Sequence, residues 1–183
     1  MTDIGKIGSR RLHTGRILNL DLDEIHFPDG STGSLEIIRH PGASAVVPLL
    51  SDLHGSDPQI LLIKQYRYAT NGYLFEIPAG RLDGAETPEA CASRELKEET
   101  GCSAGKLVFL TSMWTTPGFT DERIHLFMAE GLTAGDSRRE ADEFIETEPV
   151  SLSRALEMIK TGEIQDAKTA LGILYVAGFK AGK

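Results

Sequence analysis

Residues 80–102 read GRLDGAETPEACASRELKEETGC and contain the signals for one loop and the helix that follows it. Thr87 followed by Pro88 predicts a helix start, because a threonine hydroxyl caps exposed backbone N–H groups and proline suits the first helical position. No helix breaker follows until Gly101, and glycine favours the left-handed conformation that ends many helices. The stretch therefore predicts a helix from residue 88 to residue 100.

Three glutamates of this helix crowd one face, because Glu98 and Glu99 follow Glu95 by three and four residues. Like charges at that spacing destabilise a helix by roughly 0.2–0.5 kcal/mol per pair. A divalent cation would turn the repulsion into attraction, and carboxylate oxygens suit magnesium or manganese. Arg94 is expected to brace Glu98, whereas the soft thiol of Cys91 is expected to pack. The alternative is a solvated acidic face.

The composition is that of a globular protein with one sizeable core, at 183 residues with 40% hydrophobic and 25% charged residues. A net charge of −8 argues against a general nucleic-acid or anionic-membrane binder. Two cysteines and five scattered histidines form no disulfide framework and no zinc pattern. Without an apolar signal region in MTDIGKIGSRR or a stretch long enough to span a bilayer, we expect a cytoplasmic protein.

The sequence pattern in the remainder of the chain predicts many strands and few helices. Residues 9–40 alternate apolar and polar side chains around the turn Pro28-Asp29-Gly30, which predicts a small antiparallel β-domain over residues 1–40. Later strands are predicted at 43–50, 60–66, 75–80, 106–113, 123–129 and 144–150, with helices capped by Ser151 and Asp166 that end at Lys160 and about Phe179. Strands and helices do not alternate strictly, which favours an α+β fold with a mixed sheet between helices.

Fixed spacings around the helix extend beyond the three acids. Gly80, Glu86 and the run 94–101 are followed by the apolar Cys102. This Gly-x5-Glu-x7-Arg-Glu-Leu-x-Glu-Glu-x-Gly-apolar pattern resembles the Nudix box with every defining position filled. The resemblance implies an α/β/α sandwich over residues 41–183 and hydrolysis of a pyrophosphate bond. It also implies Mg2+, replaceable by Mn2+ or another divalent cation, held by Glu95, Glu98, Glu99 and the Ala79 carbonyl.

Four further segments resemble the ADP-ribose pyrophosphatase branch of that family, so that the likeness covers roughly residues 35–180. They are residues 39–43, 65–67, 76–80 and 116–122, and Pro117 lies about fifteen residues past the box, where this branch has its marker proline. The resemblance implies hydrolysis of ADP-ribose to AMP and ribose 5-phosphate. Because the N-terminal segment of this branch typically exchanges between two subunits, it also implies a homodimer.

The general base of this branch usually comes from an acidic loop downstream of the box. Candidates in this chain are Glu140, Asp142, Glu143 and Glu146. Glu140 and Glu143 are favoured, with Glu143 also a metal ligand and Glu98 a rival base. The alternative is that this acidic run is a solvated loop.

Substrate contacts are expected from arginines and from the loop around Pro117. A guanidinium makes bidentate contacts with phosphate or ribose oxygens, although a surface position is the alternative for each arginine. The predicted substrate-binding residues are Arg39, Arg67, Arg81, Thr116, Pro117, Gly118 and Glu122. The adenine would stack on Tyr66, Tyr68 or Phe119, although aromatic side chains more often belong to the core.

Two other functions fit the same residues. A hydrolase of another sugar nucleotide, such as GDP-mannose, would share the box and differ in its base and sugar pockets, and Pro117 favours ADP-ribose over it. A non-catalytic sensor of ADP-ribose would be expected to lose a box carboxylate or to carry a DNA-binding appendage, and this box is intact. Metal-dependent turnover would exclude the sensor.

Overall fold

A computed structural model of the chain describes residues 4–136 and 144–181. These residues form two compact units. The first contains the N-terminal segment up to Gly42 together with Met113–Arg123, and the second contains Ala43–Ser112 together with the residues from Ile124 onwards. The N-terminal unit thus includes a segment from far along the chain.

The first unit is built on an antiparallel three-stranded sheet. Its strands are β1 (Gly5–Thr14), β2 (Asn19–His26) and β3 (Thr32–Arg39), in that spatial order. The predicted turn between β2 and β3 is confirmed, with Gly30 at φ +84°. The segment Met113–Arg123 attaches to β3, because the Ile38 N–H donates to the Phe119 carbonyl at 2.8 Å.

The remaining strands of the described residues lie wholly or mostly in the second unit. They are β4 (Ala43–Pro48), β5 (Gln59–Arg67), β6 (Gly72–Glu76), β7 (Ala79–Arg81), β8 (Cys102–Ser103), β9 (Lys106–Trp114), β10 (Arg123–Glu130), β11 (Thr133–Ala134) and β12 (Ile145–Ser151). Of these described strands, only the end of β9 and the first residue of β10 lie in the first unit. One sheet has the order β7-β4-β10-β9, in which β4 runs parallel to β10 and antiparallel to β7. A second sheet has the antiparallel order β12-β5-β6, and β8 pairs with β11. The predicted mixed sheet is confirmed.

Among the described residues of the second unit there are three α-helices: α1 (Pro88–Thr100), α2 (Leu152–Thr161) and α3 (Ala167–Tyr175). Their predicted starts are confirmed, since the side chains of Thr87, Ser151 and Asp166 each accept a hydrogen bond from a backbone N–H of the first turn. The predicted end of α1 is also confirmed, with Gly101 at φ +76°. A buried cluster joins α1 to β4 and β10 and contains Val46, Ala92, Leu96, Phe127 and Ala129.

Two predicted elements are each divided into two elements in the structure. The strand predicted at 75–80 is divided into β6 and β7, because Pro78 has no N–H for a sheet ladder and its carbonyl instead accepts from the Val46 N–H at 2.9 Å. The last helix ends at Tyr175 and continues as a π-helical turn, Val176–Lys180. No helix within residues 4–136 and 144–181 is long and apolar enough to cross a membrane.

Candidate active site

Gly80 of β7 lies directly against Glu95 of α1. A Cβ atom built on Gly80 would lie 1.8 Å from Glu95 Oε1. The nearly buried carboxylate of Glu95 therefore occupies space that only glycine leaves open. This contact explains why a glycine at position 80 accompanies a glutamate at position 95.

Glu99 connects the same helix to β7. Its carboxylate is buried and Oε2 accepts the Ala79 N–H at 3.1 Å. Because α1 is anchored by its Thr87 cap and by its apolar face, this bond fixes the backbone at Ala79 relative to the helix. Ala79, which was predicted as a backbone ligand, thus lies beside a predicted carboxylate ligand.

Arg94 organises the acidic groups around it. Its Nε and Nη2 donate to the two carboxylate oxygens of Glu86, both at 3.0 Å. Nη1 donates to Glu95 Oε1 at 2.7 Å and to Glu98 Oε2 at 2.9 Å, which confirms the predicted bracing of Glu98. The bond from Arg94 holds the pKa of Glu86 below its ordinary value, and the bond to Glu86, followed by attraction to Glu95, raises the pKa of Arg94.

These groups enclose a cleft of about 240 Å³. Its walls are Ala79, Gly80, Arg81, Asp83, Arg94, Glu95 and Glu98. Within the described residues, no three His, Cys, Asp or Glu side chains are grouped closely enough to hold a metal ion, and Arg94 balances Glu95 and Glu98 instead. The carboxylate oxygens and the glycine-lined wall fit a hard divalent cation, and its binding would replace part of the contact with Arg94.

Cys91 lies next to the cleft but packs, as predicted. Its buried thiol contacts the carbonyl oxygens of Gly80 and Arg81, each at 3.4 Å. Burial, followed by the negative charge of Glu95, raises the pKa of this thiol to about 11. Cys91 is therefore a packing side chain, and its soft sulfur is poorly matched to a hard divalent cation.

Arg67 is paired with a residue that the sequence analysis did not single out. Its Nε and Nη2 donate to the buried Glu76 at 2.6 and 2.8 Å, and this bond raises the pKa of Arg67. Lys168 also donates to Glu76. Burial alone would raise the pKa of Glu76, but the bond from Arg67 and attraction to Lys168 outweigh burial and keep it below its ordinary value.

Arg39 belongs to the first unit, where it pairs with three aspartates. It donates to Asp21 at 3.1 Å, to Asp121 at 3.0 Å and to Asp23. The bond to Asp23 is the largest of the effects that raise the pKa of Arg39. A cavity of about 390 Å³ in this unit is lined by Arg39 and Pro117 together with apolar side chains, among them Ile25, Leu35, Ile37 and Trp114.

The other predicted residues of the Pro117 loop lie in the same unit. The Thr116 carbonyl accepts the N–H groups of Phe119 and Thr120, both at 3.1 Å, so the loop is a tight turn. A side chain on Gly118 would meet no atom within 4 Å. Glu122 accepts the Thr115 hydroxyl at 2.7 Å.

Of the acids predicted as bases, only Glu98 and Glu146 are among the described residues. Glu146 is exposed on β12, opposite Lys64 of β5. The predicted Glu140, Asp142 and Glu143 lie outside the described residues. Tyr66, Tyr68 and Phe119 are exposed, and stacking of adenine on one of them stays a prediction.

Known proteins resemble this chain over most of its length. Residues 40–170 match the family model for the NUDIX domain. An ADP-ribose pyrophosphatase of Bacillus subtilis (strain 168) is 39% identical over 172 residues, which cover 93% of this chain and 90% of that protein. A methanol dehydrogenase activator of Bacillus methanolicus is 37% identical with the same coverage.

Two further proteins share features with the chain at lower coverage or identity. A GDP-mannose pyrophosphatase of Escherichia coli O1:K1 / APEC is 39% identical over 159 residues, covering 77% of this chain and 80% of that protein. The crystal structure of an ADP compounds hydrolase superposes with a TM-score of 0.81 at 20% identity, covering all of this chain and 96% of that one. At that identity the match shows a shared fold.

Proposed function

Since this chain belongs to the Nudix family and is a Nudix hydrolase, we propose that it cleaves the pyrophosphate bond of ADP-ribose to give AMP and ribose 5-phosphate. The observation that carries the proposal is the cleft in which the box carboxylates Glu95 and Glu98 meet the backbone of Ala79 and Gly80. The relative named as an ADP-ribose pyrophosphatase, which this chain matches almost from end to end, supports the choice of substrate.

Nudix hydrolases use divalent cations, and the cation proposed for this chain is Mg2+, for which Mn2+ would substitute. Glu95, Glu98, Glu99 and the Ala79 carbonyl would hold it, with Glu143 as a further ligand from outside the described residues. A bound cation offsets the negative charge of the pyrophosphate and stabilises the charge that develops as the bond breaks.

The protein side chains would then direct a water molecule to one phosphorus atom. A new P–O bond forms, the bond from that phosphorus to the bridging oxygen breaks, and the proton of the water passes to a carboxylate. Glu140 and Glu143 are the favoured bases of this proposal, and Glu98 is the rival. The side chain of Glu98 is 37% exposed and is held in place by Arg94.

In the second unit the proposed substrate contacts are Arg67, whose side chain stays 41% exposed beside Glu76, and Arg81, which lines the cleft. In the first unit they are Arg39, Thr116, Pro117, Gly118 and Glu122. The apolar cavity beside Arg39 and Pro117 has the character expected of a site for a planar base or a ribose.

The proposed assembly is a homodimer that exchanges the domain of residues 1–40. What supports it is the resemblance of the N-terminal segment to the small β-domain of the ADP-ribose pyrophosphatase branch. The observed antiparallel sheet of β1, β2 and β3 agrees with that type of domain.

Turnover of a substrate panel tests the proposed reaction. The panel contains ADP-ribose, GDP-mannose, NADH, UDP-glucose and a diadenosine polyphosphate, each with Mg2+ and then with EDTA, and the products are resolved by chromatography. We expect a preference for ADP-ribose, AMP as a product and loss of turnover in EDTA. Turnover that persists in EDTA would contradict the role of the cation.

Two alternatives have specific support from relatives. The resemblance to a GDP-mannose pyrophosphatase favours a different sugar nucleotide, and a preference for GDP-mannose in the panel would establish it. The resemblance to a protein named as a dehydrogenase activator favours a regulatory role. Tight binding of ADP-ribose without turnover would support that second alternative.

A further inference from the structure

The segment that leads into the cleft is fixed at four consecutive residues. The Glu76 side chain is bound by Arg67 and Lys168, and the Ile77 N–H donates to Thr169 Oγ1 at 2.9 Å. The Pro78 carbonyl accepts the Val46 N–H at 2.9 Å, and the Ala79 N–H donates to Glu99 at 3.1 Å. Two of these five attachments, those from Lys168 and Thr169, come from the first turn of α3, and neither residue lines the cleft.

Thr169 is oriented for this contact by the cap of its own helix. Its hydroxyl donates to Asp166 Oδ2 at 2.5 Å, so the hydroxyl oxygen presents a lone pair to the Ile77 N–H. Asp166 also accepts the Thr169 N–H and the Lys168 ammonium, each at 3.0 Å. Thr169 is fully buried, and an acceptor lost there would leave the Ile77 N–H without a partner away from water.

Neighbouring packing makes the contact rigid. A Cβ on Gly172, one turn further along α3, would lie 3.0 Å from Val47 and 3.1 Å from Ile77. The helix backbone therefore touches both β4 and the segment that precedes Ala79. A shift of α3 is transmitted to Ile77 directly, and Ala79 is only two residues further along an extended chain.

We propose that Thr169, supported by Lys168, is a positioning residue for the metal site: by fixing Ile77 it sets where the Ala79 carbonyl and the Glu99 carboxylate lie. The inference rests on the proposed function, because it assigns the cation to that cleft. Groups that orient metal ligands from behind typically change metal affinity by about 10- to 100-fold when they are removed.

The test compares Mn2+ affinity, by electron paramagnetic resonance on the metal-depleted full chain, among Thr169→Val, Thr169→Ser and Ile173→Val. Thr169→Val keeps the shape of the side chain and removes the oxygen that accepts the Ile77 N–H, whereas Thr169→Ser keeps a hydroxyl at that position. Ile173→Val is the control, because it loosens the buried face of the same helix without changing the hydrogen bond of the Ile77 N–H. We expect Thr169→Val to weaken Mn2+ binding about tenfold or more, and both other variants to stay close to the unsubstituted protein.

Equal Mn2+ affinity in Thr169→Val and Ile173→Val would overturn the positioning role. If Thr169→Val does not fold, Lys168→Met replaces it, and an unchanged Mn2+ affinity in that variant would overturn the inference in the same way. Because the measurement needs no substrate, a failure to hydrolyse ADP-ribose removes the proposed substrate and leaves this result standing. Absence of Mn2+ binding in the unsubstituted protein would overturn both proposals.

Discussion

At the scale of single residues, the shape of the cleft depends on the absence of a side chain at Gly80. The carboxylate of Glu95 lies where a Cβ of residue 80 would be, so the two positions are interdependent. Their spacing made the pair recognisable in the sequence, although the spacing alone says nothing about which atom meets which. The structure supplies the reason, which is steric exclusion.

Gly80→Ala should displace the Glu95 carboxylate, because the added Cβ would lie 1.8 Å from its Oε1. We expect turnover and Mn2+ affinity each to fall roughly 100-fold, a loss typical of one misplaced preorganised group. Gly72→Ala is the control, since its added Cβ would meet its nearest atom at 3.9 Å. Normal Mn2+ binding by Gly80→Ala would contradict the expectation.

Glu99→Gln should separate catalysis from folding. The amide oxygen of glutamine still accepts the Ala79 N–H, so the free energy of unfolding should change little. The loss of a negative charge from the site should lower kcat by roughly 100-fold or more. The exposed Glu89 of the same helix provides the control Glu89→Gln. Near-normal kcat in Glu99→Gln would remove Glu99 from the ligands.

The limits of sequence reasoning at this scale follow from distance along the chain. Arg94 and Glu86 lie eight residues apart and belong to one recognisable pattern, so a contact between them could be expected from the sequence. Ile77 and Thr169 are 92 residues apart, and a threonine in the first turn of a helix has many ordinary uses. Only the fold brings those two residues together.

At the scale of elements, local chemistry predicted where helices begin. Thr87, Ser151 and Asp166 are all capping residues of the kind that satisfies free N–H groups, and all three serve as caps. The division between β6 and β7 was missed, because the residues around Pro78 are as apolar as a strand. The proline's missing N–H decided the outcome.

The ion pair between Glu76 of β6 and Lys168 of α3 should make the free energy of unfolding depend on pH. The folded-state pKa of Glu76 lies below its ordinary value, whereas a glutamate in the unfolded chain has a pKa of about 4.3. The stabilisation from Glu76 is therefore complete above the unfolded-state pKa and is lost as the pH falls through the lower, folded-state pKa. Stability should decline between about pH 5 and pH 3.

Urea denaturation of Glu76→Gln across that range measures the effect. At pH 7 the variant should lose up to about 3 kcal/mol of unfolding free energy, because Arg67 and Lys168 lose their shared counter-charge. Its stability should also fall less steeply below pH 5 than that of the unsubstituted protein. Glu157→Gln, which breaks an exposed pair with Lys160, should leave the pH profile unchanged. Parallel profiles for Glu76→Gln and the unsubstituted protein would count against this account.

At the scale of the whole molecule, the N-terminal unit is not formed by the N-terminal residues alone. It takes up Met113–Arg123, the segment that contains Pro117, through contacts such as the one between Ile38 and Phe119. The sequence predicted the strands of this unit from their alternation. It could not predict that a loop about 75 residues later would join them, because nothing in the loop's composition marks a partner.

Deletion of residues 1–40 should therefore leave the Pro117 segment without the rest of its unit. We expect a monomer or an aggregate with little activity, judged by light scattering coupled to gel filtration and by turnover of ADP-ribose. Thr169→Ser, which changes a residue of the other unit, provides a folded reference. A well-behaved, active monomer would rule out the exchanged dimer.

The mixed sheet of the second unit has a consequence for how the chain acquires its structure. β4 lies between β7 and β10, and its pairing with β10 joins residues about 80 positions apart. Pairing between residues so far apart along the chain slows folding, because a long loop must close before the stabilising contacts can form. During synthesis the apolar β4 leaves the ribosome well before β10 exists. The nascent chain thus exposes an unpaired, aggregation-prone strand, the kind of segment that chaperones shield.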